Sequence, residues 1–321
     1  MAKVITAPAK INLFLEVLRR CADGYHEIES LATAISLSDR LLFEKREDEK
    51  VTLQVVFPTE EPLASLFPTA AIPDNETNLV MRAARLLQRQ TSQKLCGVNI
   101  ILQKRIPACS GLGGGSSDAA ATLRVLNEFW ELGLASSELA SLGAELGCDV
   151  PLFLSDFPVI CTGRGEVFQP VADSATLPPL FLVLIRPWQG LSTPEVYRNC
   201  LPRASVTKEA DGSAASIPTL LEAWRKSRSE DFAANLWNRL KEPAQQLLPE
   251  LRDVEKALAE LEPPCVGVSM TGSGSTCFGV YWDENSAHTA ARQLQKQALG
   301  MVWVVQSGTG FQECFSSPSC G

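Results

Sequence analysis

Histidine and tyrosine are scarce in this chain, with 2 and 3 copies among 321 residues, and its 10 cysteines include no Cys-x-x-C pair. That shortage leaves little from which to build a structural zinc site, so no metal held by the protein alone is expected. The most closely spaced thiols, Cys314 and Cys320, sit in a Ser/Pro/Gly-rich tail. The cysteines are expected to be reduced and to pack as small apolar side chains. No apolar run approaches the about 18 residues that a spanning helix needs. The longest candidate, Leu177 to Ile185, is interrupted by Pro178 and Pro179 and ends at Arg186, which predicts a buried strand. Positive charge is also in deficit: 29 Lys and Arg against 37 Asp and Glu leave a net charge of −8. Bulk attraction to nucleic acid or an anionic membrane is thereby excluded, although a local basic site remains possible. The first residues show neither a signal peptide nor the Arg/Ser richness of a transit peptide, so the cytoplasm is the expected location.

What is present is an ordinary globular balance, 45% apolar and 21% charged, long enough for two domains. Strand patterns cover 3–17, 31–37, 51–57, 98–102, 158–168, 180–186, 265–269, 276–282 and 301–306. Helical spacing covers 78–90, 118–130, 136–146, 219–229, 242–261 and 286–298. Asp23-Gly24 predicts a turn between the first two strands. The loops 58–75 and 203–218 have no assigned role. Strands and helices interleave, which predicts an α+β protein. The proline-flanked segment 170–179 is the expected link, dividing the chain into 1–172 and 173–321.

One segment carries most of the chemical signal: Pro107, Ala108, Cys109, Ser110, Gly111, Leu112, Gly113, Gly114, Gly115, Ser116 and Ser117, leading directly into an apolar helix. Glycines let a backbone turn its N–H groups inward around a bulky anion, and the helix behind adds unpaired N–H groups and its positive dipole end. Ser116 and Ser117 offer hydroxyls to phosphate oxygens or Mg²⁺. A flexible linker is the bland alternative, but a linker would not feed straight into so apolar a helix. No Gly-Lys pair exists, which excludes a Walker loop, and Ser116 stands where a dinucleotide fingerprint needs its last glycine.

Three further segments become informative together. Lys10 and Asn12 interrupt an apolar strand start (Pro8-Ala-Lys-Ile-Asn-Leu13), Asp149 lies between a helix end and an apolar run (Gly147-Cys-Asp-Val-Pro151), and 267–277 is a second Gly/Ser-rich turn containing Gly272, Ser273 and Gly274. With the glycine loop, they resemble the GHMP kinase superfamily over most of the chain. The segments Ala22-Asp-Gly-Tyr-His26 and Leu191-Ser-Thr-Pro-Glu-Val-Tyr197 are similar to its branch that phosphorylates the 2-hydroxyl of a cytidine-diphosphate-linked methylerythritol in the non-mevalonate isoprenoid pathway.

The resemblance implies a two-domain fold, with an N-terminal domain like domain 2 of ribosomal protein S5 and a ferredoxin-like C-terminal domain. It also implies ATP with Mg²⁺, the glycine loop from Pro107 to Ser117 binding the nucleotide. Asp149 is expected to orient or deprotonate the acceptor hydroxyl, with Lys10 keeping it ionised and offsetting charge on the moving phosphoryl group. Tyr25 and Tyr197 are expected to stack on cytosine and His26 to hydrogen-bond its edge. Asn12, Thr193 and Gly272 to Gly274 are expected to contact the rest of the substrate. His288 is expected to be solvated. The implied partner is a small molecule, not nucleic acid or membrane, and the expected state is a monomer or weak homodimer. Cys109 and Ser110 depart from the family's usual Gly and Ala, and Asn235 to Leu240 only approximates a family segment. Two rivals stay open, a homoserine- or mevalonate-type kinase and a non-catalytic nucleotide-binding protein.

Overall fold

The computed structural model describes residues 2–59, 63–67, 72–155, 157–203, 215–308 and 310–314. Strand β1 (Ala2–Arg20) and strand β2 (His26–Lys45) form a long antiparallel hairpin whose turn holds Gly24 at φ +90°. The strand expected at 31–37 is thus the middle of a longer one. Register shifts at Pro8/Ala9 and Asn12/Phe14 bend β1 on either side of Lys10 and Asn12, as bulges do when they re-aim side chains. Strand β3 (Val51–Val56) follows, then helix α1 (Leu79–Gln88), capped by the Asn78 side chain accepting from the Val80 N–H at 2.9 Å, a contact worth about 1 kcal/mol. Strand β4 (Val98–Gln103) runs into the glycine loop, which opens helix α2 (Gly114–Phe129). Helix α3 (Ser136–Leu146) lies where its spacing predicts it.

The apolar run after Asp149 is a short helix, α4 (Val150–Leu154), and not the approach to a strand; Pro151 fits a first helical turn, where a missing N–H costs nothing. Strands β5 (Val159–Thr162) and β6 (Val167–Pro170) complete the first half. Beyond come β7 (Phe181–Pro187), α5 (Thr193–Arg198), α6 (Ile217–Arg225), α7 (Ser229–Asn235), β8 (Trp237–Asn238), α8 (Lys241–Leu247) and α9 (Glu250–Ala259). The helix expected over 242–261 is two helices because Pro249 pushes Leu248 out of helical conformation, to φ −135° and ψ 85°. The one expected at 219–229 stops before Ser227, which has φ +49°. Strands β9 (Gly267–Met270) and β10 (Cys277–Tyr281), helix α10 (Glu284–Gln295), and strands β11 (Gly300–Gln306) and β12 (Gln312–Cys314) end the described chain.

The first sheet runs β12-β1-β2-β4-β3, with β5 on β2, β6 on β5 and β8 on β1. The second runs β11-β7-β10-β9, all antiparallel. In chain order that is 4-1-3-2, the ferredoxin-like arrangement expected of the C-terminal half. Segments beyond residue 172 also join the first sheet: β12 pairs with Val4 to Thr6, and β8 with Phe14 and Leu15. One apolar cluster packs α1 to α4 against the first sheet. A second merges Ala9, Ile11 and Leu13 of β1 with Leu182 and Leu184 of β7 and with Phe278 of β10. β1 is apolar along nearly its whole length because different stretches of it serve these separate cores. The stretch of β1 around Lys10 therefore lies where the two halves meet. Most of the loop expected at 203–218 falls at 204–214, outside the described residues, as do 60–62 and 68–71 of the loop at 58–75. No helix among the described residues is long and apolar enough to cross a membrane.

Candidate active site

The glycine loop is shaped by what happens to its carbonyls. Pro107 O accepts from Ser110 Oγ at 2.7 Å, Ala108 O from Arg186 Nη2 at 3.2 Å, and Ser110 O from the Thr276 N–H at 3.3 Å. Gly111 O accepts from Lys10 Nζ at 2.8 Å and Leu112 O from the Lys10 N–H at 3.0 Å. With these carbonyls bonded behind the loop, its N–H groups are left for the opposite side. Gly113, at φ +75°, is the N-cap of α2 without a side-chain cap, and the first helical bond runs from the Ser117 N–H to its carbonyl. The N–H groups of Gly114, Gly115 and Ser116 therefore have no partner within the helix. Glycine is required at 111, where φ is +75° and a Cβ would lie 2.2 Å from the Thr271 carbonyl oxygen. Cys109 stands at φ +51°, a conformation that suits the glycine usual in the resembled family better than a side chain.

The loop opens onto a cavity of about 860 Å³ whose wall also includes Lys10, Asn12, Tyr25, His26 and Asp149. Thr193, Tyr197, Gly272 and Ser273 line it as well. Lys10, 4% exposed, donates to Asn12 Oδ1 at 2.6 Å and to the Gly111 carbonyl. Asn12 in turn donates to Ser30 Oγ at 2.8 Å and receives the Thr271 hydroxyl at 3.3 Å. Burial holds the Lys10 ammonium below the ordinary lysine value, and the field of Asp149 opposes that shift. Asp149 is exposed at the N-terminus of α4 and makes no ion pair with Lys10. The expected Lys–Asp pair thus acts through space, while the ammonium is fixed by neutral acceptors.

At the other end of the cavity the His26 and Tyr197 rings lie 5.2 Å apart, tilted by 38°. Tyr25 is 56% exposed, with the Arg164 guanidinium 5.5 Å from its ring centre and bonded to Asp23 at 2.7 Å. Arg20 stands opposite His26 in the β1–β2 ladder; burial, then the Arg20 charge, lower the His26 pKa. The Thr193 and Ser273 hydroxyls are 2.7 Å apart, joining α5 to the second Gly/Ser turn. That turn is held by Asn238, which donates to the carbonyls of Met270 at 2.6 Å and Gly272 at 2.9 Å.

Three expected site residues are not on the cavity wall. Leu112 is fully buried in the shared core. Ser117 is also fully buried, its hydroxyl without a partner. Gly274 packs against Met270 and Leu191. Conversely, sequence reasoning missed a charged floor to the cavity: Lys104 pairs with Asp39 and, at 2.8 Å, with Asp118 Oδ2, all three buried. Asp39 also accepts the N–H groups of Arg105 and Ile106, fixing the corner from β4 into the loop. The available signal was Asp118 itself, a carboxylate at the start of an otherwise apolar helical segment. His288 is exposed and lies 3.7 Å from Glu284, a surface position as expected.

Comparison with known proteins gives the family. Residues 78–161 match the family model of the GHMP kinase N-terminal domain and residues 221–299 that of the GHMP kinase C-terminal domain. The class is therefore that of a small-molecule kinase with an ATP-dependent phosphotransfer chemistry. A 4-diphosphocytidyl-2-C-methyl-D-erythritol kinase of Shouchella clausii is 37% identical over 95% of both chains. One of Pelotomaculum thermopropionicum is 39% identical over 91% of this chain and 94% of its own. A crystal structure of 4-(cytidine 5'-diphospho)-2C-methyl-D-erythritol kinase superposes with a TM-score of 0.76 at 34% identity, covering 97% of this chain and 100% of that one. A homoserine kinase from Cytophaga hutchinsonii, at 16% identity and a TM-score of 0.73 over 98% of this chain and 97% of its own, shares the fold alone. The chain belongs to the 4-diphosphocytidyl-2-C-methyl-D-erythritol kinase family of the GHMP kinases.

Proposed function

We propose that the protein transfers the γ-phosphoryl group of ATP to the 2-hydroxyl of 4-diphosphocytidyl-2-C-methyl-D-erythritol. The observation that carries this is the single cavity in which the glycine loop, Lys10 and Asp149 share a wall with Tyr25, His26 and Tyr197. Phosphoryl transfer needs positioning and charge stabilisation more than covalent chemistry, and each group has a part in that. The unpaired N–H groups at the start of α2 receive the nucleotide phosphates. Asp149, exposed to the cavity, orients the acceptor hydroxyl and takes its proton. Lys10 spends two of its three protons on Asn12 and Gly111, which fixes the third for a phosphoryl oxygen. Tyr25 and Tyr197 stack on the base, and a neutral His26 reads its edge.

The donor set beside the loop fits a Mg²⁺ ion carried by the nucleotide. The Ser116 hydroxyl and the Asp149 carboxylate both face the cavity and are of the hard oxygen type that this cation takes. Ser116 would hold it together with the phosphates, where it would offset their negative charge, leaving Asp149 to the acceptor hydroxyl.

The test is ADP release with ATP and Mg²⁺, offering the cytidine substrate beside homoserine and mevalonate. Turnover of the cytidine substrate alone is expected. Turnover of a decoy instead would remove the roles given to Tyr25, His26 and Tyr197, and absence of turnover in protein that binds ATP would favour a non-catalytic nucleotide binder.

A further inference from the structure

Arg186 is a buried cation for which the reaction above has no role. It is the penultimate residue of β7, 4% exposed. Nη1 donates to the carbonyls of Pro187 and Trp188, each at 2.7 Å, and Nη2 to that of Ala108 in the glycine loop. Nε is buried with no acceptor. Among the described residues no carboxylate lies within ion-pair reach of the guanidinium, and burial alone dominates its downward pKa shift. A guanidinium cannot shed its proton in a protein, so this is a permanent charge whose hydrogen bonds are mostly satisfied and whose charge is not. Buried charges are ordinarily paired.

The segment after β7 closes over this contact. A Cβ at Gly190 would lie 2.9 Å from Arg186 Nη2 and 2.9 Å from the Cys109 carbonyl oxygen, so only glycine lets residues 187–190 lie against both. Ser275 Oγ donates to the Gln189 carbonyl at 2.9 Å, and the Thr276 N–H to that of Ser110. The front of the glycine loop is thus clasped by the other half of the chain, with a lone positive charge in the clasp.

We infer that Arg186 is a positioning residue for the nucleotide phosphates: it holds the Ala108 carbonyl turned away from the anion site, and the bound polyphosphate supplies the counter-charge that its burial lacks. This rests on reading the glycine loop as the nucleotide phosphate site. The base-binding wall of Tyr25, His26 and Tyr197 makes no hydrogen bond to Arg186, so the effect is confined to one of the two ligands.

The experiment titrates the full-length protein separately with ADP and with CDP by calorimetry, with folding checked by circular dichroism, and measures KM and kcat. Arg186→Met is expected to weaken ADP at least tenfold and to raise KM for ATP, with kcat changed less than threefold and CDP affinity within twofold of wild type. Arg186→Lys, which keeps the charge, is expected to bind ADP within threefold of wild type. Unchanged ADP affinity in Arg186→Met, or an equal loss for CDP, overturns the inference, as does a loss above tenfold in Arg186→Lys. If the Met variant does not fold, Arg186→Gln decides, since it keeps amide donors without charge; ADP binding within twofold of wild type overturns. A wild-type protein that binds no ADP would sink the loop reading itself. One that binds ADP but leaves the cytidine substrate unreacted would sink only the proposed reaction.

Discussion

Lys104 Nζ and Asp118 Oδ2 lie 2.8 Å apart in the floor of the cavity, with Asp39 on the same ammonium. Two carboxylates thus share one cation in a buried site. Burial, and the nearby Asp39, raise the Asp118 pKa from 3.8 to about 8 against the pull of Lys104. At neutral pH the native protein then holds a proton that the unfolded chain has released. Because the native state binds the extra proton, stability falls as pH rises between the ordinary carboxylate value and about 8. The melting temperature of Asp118→Asn, measured at pH 5, 6.5 and 8, is expected to decline less than that of wild type. Parallel declines would show that Asp118 is ionised throughout.

Removing the shared cation tests the same cluster from the other side. Above about pH 8, where Asp118 is ionised beside Asp39, Lys104→Met leaves both carboxylates buried without their counter-ion, a change that costs about 3–5 kcal/mol. Urea unfolding should show that loss, and Lys104→Met/Asp118→Asn should recover part of it. A single variant as stable as wild type would mean that the cluster contributes no net pairing.

In the proposed reaction Asp149→Asn should lower kcat by about 10²–10⁴, the usual contribution of a positioned proton acceptor. ADP affinity should be retained; if it falls with kcat, the role of Asp149 is misassigned. Burial lowers the Lys10 pKa, so kcat should decline on the alkaline side below the ordinary lysine range. Lys10→Arg should move that limb upward even where its rate is low.

Tyr25→Ala should raise KM for the cytidine substrate while leaving KM for ATP unchanged. A stacked base is worth about 1–3 kcal/mol, roughly 5- to 150-fold. His26 is held below the usual histidine value by burial and by Arg20, so it is neutral at pH 7, the form used in the proposed reading of the base. Arg20→Ala should therefore shift the His26 titration upward in NMR spectra, and an unmoved titration would place Arg20 away from the imidazole.

Part of this site is legible in the sequence, for a local reason. The turn from β4 into α2 takes positive φ at Gly111 and Gly113, a local backbone preference that glycine meets without strain. Lys10 and Asn12 sit two apart on a strand, which places them on one face. Other features are hidden because their causes are remote. Asp39 meets Lys104 across 65 residues, and nothing near either predicts the pairing. The short helix α4 escapes notice because five apolar residues fit a strand or a helix equally well. Contiguity with the glycines places Leu112 and Ser117 in the site, whereas the backbone turns them into the core.

Residue order alone dictates the class of the fold, the glycine loop with its helix, and the residue types that the proposed reaction draws on. These depend on backbone conformation and periodicity, which neighbouring residues control. Only long-range packing decides that Lys10 is held by Asn12 and Gly111 and not by Asp149, that a buried Lys104 joins two aspartates beneath the loop, and that Arg186 reaches across to Ala108. Each of these depends on where two distant strands bring their side chains, and on how little water remains to screen or satisfy a charge once they meet.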